Sequence, residues 1–334
     1  MIHASNGCRE TTSRPPWALL SGQHGRPYHD SHTQHGGLTM PNPTGRPFPF
    51  WKMHGAGNDF VVAETDRLDI SDEAWGALAI EVCDRHQGVG ADGLILVQPS
   101  KTADRKMRIF NADGSDGEMC VNGIRCFTKF CLDRGLVAAP DGRVLVETGP
   151  GLIPTTATRG ADGLVSHVRV EAAVPNLDPR ASGVMIDRPA PVLDFEVTTK
   201  DMAGASVQRV ALVSMGNPHA VQFIDGSPAE YPLERIGPQM EHHPVFTQRT
   251  NYEVVHVLDR ANIEMRVWER GVGETQACGS GACAVMVAAR ARGQADDDVQ
   301  IHLPGGTLRI QWGGEGPVIL TGPAAFVFEA EWTR

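Results

Sequence analysis

Residues 107–126 read MRIFNADGSDGEMCVNGIRC, and residues 265–284 read MRVWERGVGETQACGSGACA. Each stretch opens on a strand-like run, crosses a Gly-rich turn and reaches a cysteine 13 residues after its Met: Met107 to Cys120, Met265 to Cys278. Three residues on stands a glycine, Gly123 or Gly281. A helix-like run then ends in Arg-Gly, at Arg134-Gly135 and at Arg292-Gly293. Glycine is a common helix stop. Upstream, Asn58 follows Gly57 and lies 62 residues before Cys120; Asn217 follows Gly216 and lies 61 residues before Cys278. Four landmarks in register at an offset of about 158 residues make an internal repeat. The repeat predicts two domains on one plan, related by a pseudo-twofold. Each would place its cysteine at a helix start facing a shared cleft.

The rest of the chain fits that plan. It has 334 residues, enough for two domains with cores of their own. A net charge of -10 argues against nucleic acid, whose phosphates it would repel. No apolar run approaches the roughly 18 residues of a membrane span, and the N-terminus lacks an export signal. Seven cysteines, an odd number with no C-x-x-C pair, point to reduced thiols in the cytoplasm and to no structural metal. Residues 1–47 are rich in Ser, His, Gly, Pro and Arg and lack periodicity, and read as a disordered extension. Met40 is the expected true start.

From Phe48 onward the pattern is mixed α/β. Strand-length runs recur at 59–64, 93–98, 107–110, 143–148, 210–215, 219–224, 252–258 and 263–268. Helical patterns occupy 71–86 and the stretches after Cys120 and Cys278.

A cysteine at a helix start meets unpaired backbone N–H groups and the positive end of the helix dipole, so its thiol pKa is expected to fall. Gly279, Ser280 and Gly281 are small enough for a ligand to approach the backbone. Two such thiols on opposite faces of one carbon can invert it. One thiolate removes the α-proton and the opposite thiol returns one, with no cofactor, provided the N–H groups stabilise the carbanion. Free cysteine is otherwise often a small core residue, and Cys83, Cys126, Cys131 and Cys283 read that way.

The strings KMHGAGNDFVV, RHQGVGADGLILV, MRIFNADGSDGEMCVNGIRC, SMGNPHAV, RTNYEVV and WERGVGETQACGSGACA together resemble the diaminopimelate epimerases, from about Phe48 to the end. The resemblance implies conversion of L,L- to meso-diaminopimelate, for lysine and peptidoglycan synthesis, without pyridoxal phosphate or metal. It implies Cys120 and Cys278 as the acid–base pair. Asn58, Asn111, Asn217 and Asn251 look like substrate-binding asparagines, with Val121 and Asn122 beside the first cysteine. Glu269 and Arg270 look like the pair that grips the distal amino-acid end, Gly279 and Ser280 like part of a carboxylate cradle. His219 and Glu269 resemble polar groups near the thiols. The chemistry agrees, because a doubly zwitterionic substrate needs one end fixed by an arginine fork and a carboxylate while the other reacts.

The implied fold is two similar domains, each a curved mixed sheet around a central helix, with the active site in the cleft between them. The expected division is 48–165 with 322–334, and 166–321. The last strand, near 324–332, returns to the first domain, and the cleft closes on substrate. A homodimer is expected, with no nucleic-acid or membrane partner.

Two positions depart from the family pattern. Val121 stands where glycine commonly follows the first cysteine, which matters only if that position needs φ > 0. Gly93 stands where many relatives carry Gln. Three rivals are weighed. A proline or hydroxyproline racemase would not need Glu269, Arg270 and the extra asparagines. A phenazine-type isomerase would lack the cysteines. A thiol redox or binding protein would release no α-proton.

Overall fold

The structure, a computed structural model, describes residues 47–333 apart from Arg67, Asp69, Glu118, Met202 and Ala203. The N-terminal extension and the Met40 start fall outside the described residues.

Among the described residues eighteen strands join in one hydrogen-bonded sheet, and its two halves repeat one pairing order. In the first half Ala325–Trp332 lies beside Phe48–Gly55. The order continues through Asn58–Glu64, Gly93–Gln98, Arg105–Asn111, Arg143–Thr148 and Gly151–Arg159 to Val165–Glu171. In the second half Phe195–Asp201 takes the outer place. It is followed by Gly204–Ser214, Pro218–Phe223, Asn251–Asp259, Asn262–Glu269, Asp298–Leu303, Gly306–Gln311 and Ile319–Pro323. Both series run antiparallel, antiparallel, parallel, antiparallel, parallel, antiparallel, antiparallel. The halves meet where Val165–Glu171 pairs antiparallel with Ile319–Pro323. Two equivalent strands facing each other in opposite directions are what a pseudo-twofold requires.

Each half wraps a helix. Helix α2 (Val121–Asp133) is buried along almost its whole length, and α4 (Gly279–Ala291) likewise. A helix buried on nearly every side is a central one, even though α2 carries Asn122, Arg125, Thr128 and Lys129 among its buried residues. Phe127 and Phe130 of α2, and Val285, Met286 and Val287 of α4, are fully buried in one apolar cluster. Truncating Phe127 to alanine would cost about 3–5 kcal/mol. Both helices end alike. Gly135 and Gly293 take φ 71°, and the next residue's N–H returns to Cys131 O or Ala289 O, at 2.9 Å in each case. This is the left-handed glycine stop read from the sequence.

Strand alternation dresses the outer faces. Phe60, Val62, Ile95 and Val97 point to α2, while Val61, Ala63, Leu94 and Leu96 point to α1 (Asp72–Cys83). In the second half Leu212, Ala220 and Val254 carry α3 (Leu233–Glu241). Helix α3 was not legible in the sequence because it contains Gly237 and Pro238. Gly237 is there for packing, since a Cβ would come within 2.6 Å of the Trp268 ring. No helix among the described residues is long and apolar enough to cross a membrane.

Candidate active site

Two hairpin tips and two helix starts converge at the junction of the halves. Ala56 (φ 55°) and Gly57 (φ 85°) make a two-residue turn between paired Gly55 and Asn58. Positive φ at both positions is the type I′ geometry that suits strand twist. It sets Asn58 at the tip. Its counterpart Asn217 follows Gly216 (φ 94°) in the loop between paired Ser214 and Pro218.

Cys120 and Cys278 are the N-caps of α2 and α4, both with extended backbone. The Cys120 thiol donates to Asn58 Oδ1 at 3.6 Å. Asn122 Nδ2 donates to the same oxygen at 3.1 Å and to the carbonyl of Ala277, the residue before Cys278, at 3.0 Å. Cys278 Sγ accepts from Gly281 N–H at 3.3 Å and lies 3.5 Å from Ser280 Oγ. Asn217 Nδ2 donates to Ser280 Oγ at 3.3 Å, and Asn217 Oδ1 pairs with His219 Nε2 at 3.0 Å. Behind them His219 Nδ1 meets Glu253 Oε1 at 2.7 Å, both side chains fully buried.

The electrostatics correct the expectation of low thiol pKa values. Burial pushes the Cys120 thiol up, against the Gly123 and Asn122 N–H groups and Arg125; the Glu269 carboxylate adds to the rise. Cys278 is pushed further, first by burial, then by Glu269 and Glu253, with Ser280 and the Gly281 N–H opposing. The helix start does favour thiolate, but desolvation outweighs it. Glu269 is itself raised by burial, while Thr275 Oγ1 and the Cys278 thiol favour its carboxylate. Glu269 therefore acts on both thiols from one place.

The other expected residues divide. Arg270 is exposed: its Nη1 donates to Gln248 O at 3.1 Å and its backbone N–H to Asn251 Oδ1 at 2.9 Å. Glu269 and Arg270, expected as one gripping pair, thus have separate surroundings, with the carboxyl at the thiols and the guanidinium on a loop carbonyl. The buried Asn251 amide is occupied by that N–H and by Pro218 O at 2.9 Å. Asn111 Nδ2 donates to Ser115 Oγ at 2.9 Å. Gly279 abuts Val121, and a Cβ added at Gly93 would lie 2.7 Å from Phe110 O, leaving no room there for a longer side chain.

Sequence reading missed three residues. Asp92 Oδ2 accepts from Asn58 Nδ2 at 2.6 Å. Arg125 Nη1 donates to Asn122 Oδ1 at 2.8 Å. Glu253 holds His219. The available signal was the repeat itself: at an offset of 158 residues, Arg125 corresponds to Cys283 and Glu253 to Ile95, a charge in one half against none in the other.

The model of the Diaminopimelate epimerase family matches residues 50–169 and 211–327, one segment from each half. The chain belongs to the diaminopimelate epimerase family. A curated diaminopimelate epimerase of Desulforudis audaxviator is 47% identical over 287 residues, 85% of this chain and 99% of that one. One from Pelotomaculum thermopropionicum is 45% identical over 284 residues, 85% of this chain and 98% of that one. Among solved structures, a Bacillus anthracis phenazine biosynthesis protein of the PhzF family shares the fold, with TM-score 0.62 at 16% identity over 86% of this chain and 99% of that one. The family makes this chain an isomerase, a diaminopimelate epimerase of lysine biosynthesis.

Proposed function

We propose that the chain interconverts L,L- and meso-2,6-diaminopimelate with Cys120 and Cys278 as a two-thiol acid–base pair. One observation carries this reading. The cysteines cap the two central helices, the first turns of those helices abut, and one carboxyl, Glu269, acts on both thiols. In the proposed step a thiolate takes the α-proton as the Cα–H bond breaks, and the electron pair moves into the substrate carboxylate. N–H groups of the first helical turns, which lack carbonyl partners four residues back, would face that developing charge, while the Gly281 N–H serves Cys278 Sγ. The opposite thiol then protonates the other face. The roles exchange in the reverse direction.

Asn58, Asn122, Asn217, Gly279 and Ser280 would bind the reacting end, with Val121 between the helix starts. Asn111, Asn251 and Arg270 would serve the distal end, Arg270 by leaving the Gln248 carbonyl for a carboxylate. His219 would support Asn217. The same reading includes the division into 48–165 with 322–334 and 166–321, a homodimer, and a cytoplasmic location. Proton NMR of L,L-diaminopimelate in D2O, with reduced protein and EDTA, tests it. Meso product carrying deuterium at the α-carbon is expected. Exchange confined to proline or hydroxyproline, or no exchange, would overturn it.

A further inference from the structure

Arg125 is 0% exposed. Its Nη1 donates to Asn122 Oδ1 at 2.8 Å and Val121 O at 3.2 Å, its Nε to Pro323 O at 3.2 Å, and its Nη2 has no acceptor. No carboxylate pairs with it among the described residues. The ionisable groups that bear on it are three thiols, Cys126, Cys120 and Cys283. Arginine keeps its charge in proteins, so this is a buried cation without a counter-ion, an arrangement unfavourable in itself. The fold does not demand it, since the equivalent position in the second half is Cys283. Two glycines make room for it: a Cβ would lie 2.9 Å from Nη2 at Gly55 and 3.0 Å from Nε at Gly322.

Its missing counter-charge can be traced. Cys126 and Cys283 are pushed up to about 12 by burial and stay neutral in the working range. Cys120 alone of the three is partly exposed, and it stands at a helix start. The second cysteine is placed differently. Glu269 and Glu253 face Cys278, and His219 pairs with Glu253. Cys120 is faced by Arg125 and Cys126 from its own helix and by Glu269 from the strand Asn262–Glu269.

We propose that Arg125 is a positioning residue for the reaction, a buried cation that holds negative charge at Cys120 and fixes the Asn122 amide bridging Asn58 to Ala277. The proposal rests on the two-thiol reading above, but its test does not need the substrate. Iodoacetamide labelling of Cys120 would be followed against pH by peptide mass, in a Cys278→Ser background, with Arg125, Arg125→Met and Arg125→Lys. Arg125→Met should raise the labelling midpoint by about one pH unit, a roughly tenfold slower reaction at any pH below it. Arg125→Lys should restore the midpoint but not kcat in the parent protein, because an ammonium cannot span Asn122 and Pro323 as a planar fork does. Equal midpoints for Arg125 and Arg125→Met overturn the proposal, as does full kcat in Arg125→Lys.

If the variants do not fold by circular dichroism, Cys120 in Cys278→Ser is compared with Cys278 in Cys120→Ser. A lower midpoint for Cys120 is expected, and an equal or higher one overturns the proposal. Diaminopimelate turnover by the parent chain tests the underlying reading separately.

Discussion

The side chain of Val121 fills the space that one at Gly279 would need: a Cβ built on Gly279 would lie 2.9 Å from Val121 Cβ. The two residues are counterparts in the repeat, each the first of its central helix. Near a pseudo-twofold axis counterparts approach one another, so one of them must be small. Val121 is not among the residues with positive φ. The valine therefore carries no left-handed strain, and its tolerance depends on glycine across the junction.

Gly279→Ala should destabilise the fold by about 1–3 kcal/mol, the usual range for overpacking, and slow turnover by parting the helix starts. Adding Val121→Gly should recover most of both losses. Urea unfolding and initial rates for the two single variants and the double variant give the coupling. Additive effects would show that the two positions do not compete for one space.

Cys120→Ala and Cys278→Ala should each lower interconversion by about two to four orders of magnitude, the range for loss of a positioned acid or base. Neither substitution removes a salt bridge, and each deletes a single sulfur atom at the edge of the core, so the loss of stability should be small beside the loss of rate. Chiral separation of the products reads the rate. Near-parental turnover in either variant would end the two-base mechanism.

How much of this was legible beforehand depended on the range of the interaction. The repeat of Met, Cys, Gly and Arg-Gly is local, and it predicted two matched halves, both central helices and their glycine stops. The strands at 93–98 and 143–148 were bounded correctly because turn residues flank them. Helix α3 was missed because Gly237 and Pro238 interrupt its pattern, and the reason for Gly237 is the Trp268 ring, far along the chain. Both cysteines were expected at helix starts, and they cap α2 and α4. The direction of their pKa shift was not, because desolvation depends on the packing of both halves. Asp92 and Glu253 support partners on other strands, and the burial of Arg125, which sits beside Asn122 on one helix, is set by Pro323 and Gly322 far along the chain, so no short motif exposes their roles.

Stability should fall as pH rises above 9. The thiols of Cys83, Cys126 and Cys283 are buried, and burial raises each from 9.0 to about 12. Between those values the unfolded chain has released protons that the folded chain still holds. A group raised on folding contributes stability below its unfolded pKa and loses that contribution as pH climbs to the folded one. Each thiol should steepen the decline by about 1.4 kcal/mol per pH unit. Urea midpoints between pH 8 and pH 11 check this. Cys83→Ala should lower stability throughout yet make the alkaline slope shallower, whereas an unchanged slope would remove the thiols as its cause.

Asp92 decides which atom Asn58 turns to the first cysteine. A carboxylate only accepts, so Asp92 Oδ2 takes Asn58 Nδ2 at 2.6 Å and leaves Oδ1 for the Cys120 thiol and Asn122. Asp92 is in turn held by Arg85, at 2.7 Å, and by the Asp59 N–H at 3.0 Å. Asp92→Asn keeps the shape but offers a donor, which lets the Asn58 amide rotate and present Nδ2 instead. That rotation replaces an acceptor with a donor beside the thiol and breaks the bridge from Asn122. The loss should fall on kcat, roughly tenfold for one hydrogen bond of this kind, with KM changed much less. Steady-state kinetics with both stereoisomers would measure it. An unaltered kcat in Asp92→Asn would mean that the orientation of Asn58 is set elsewhere.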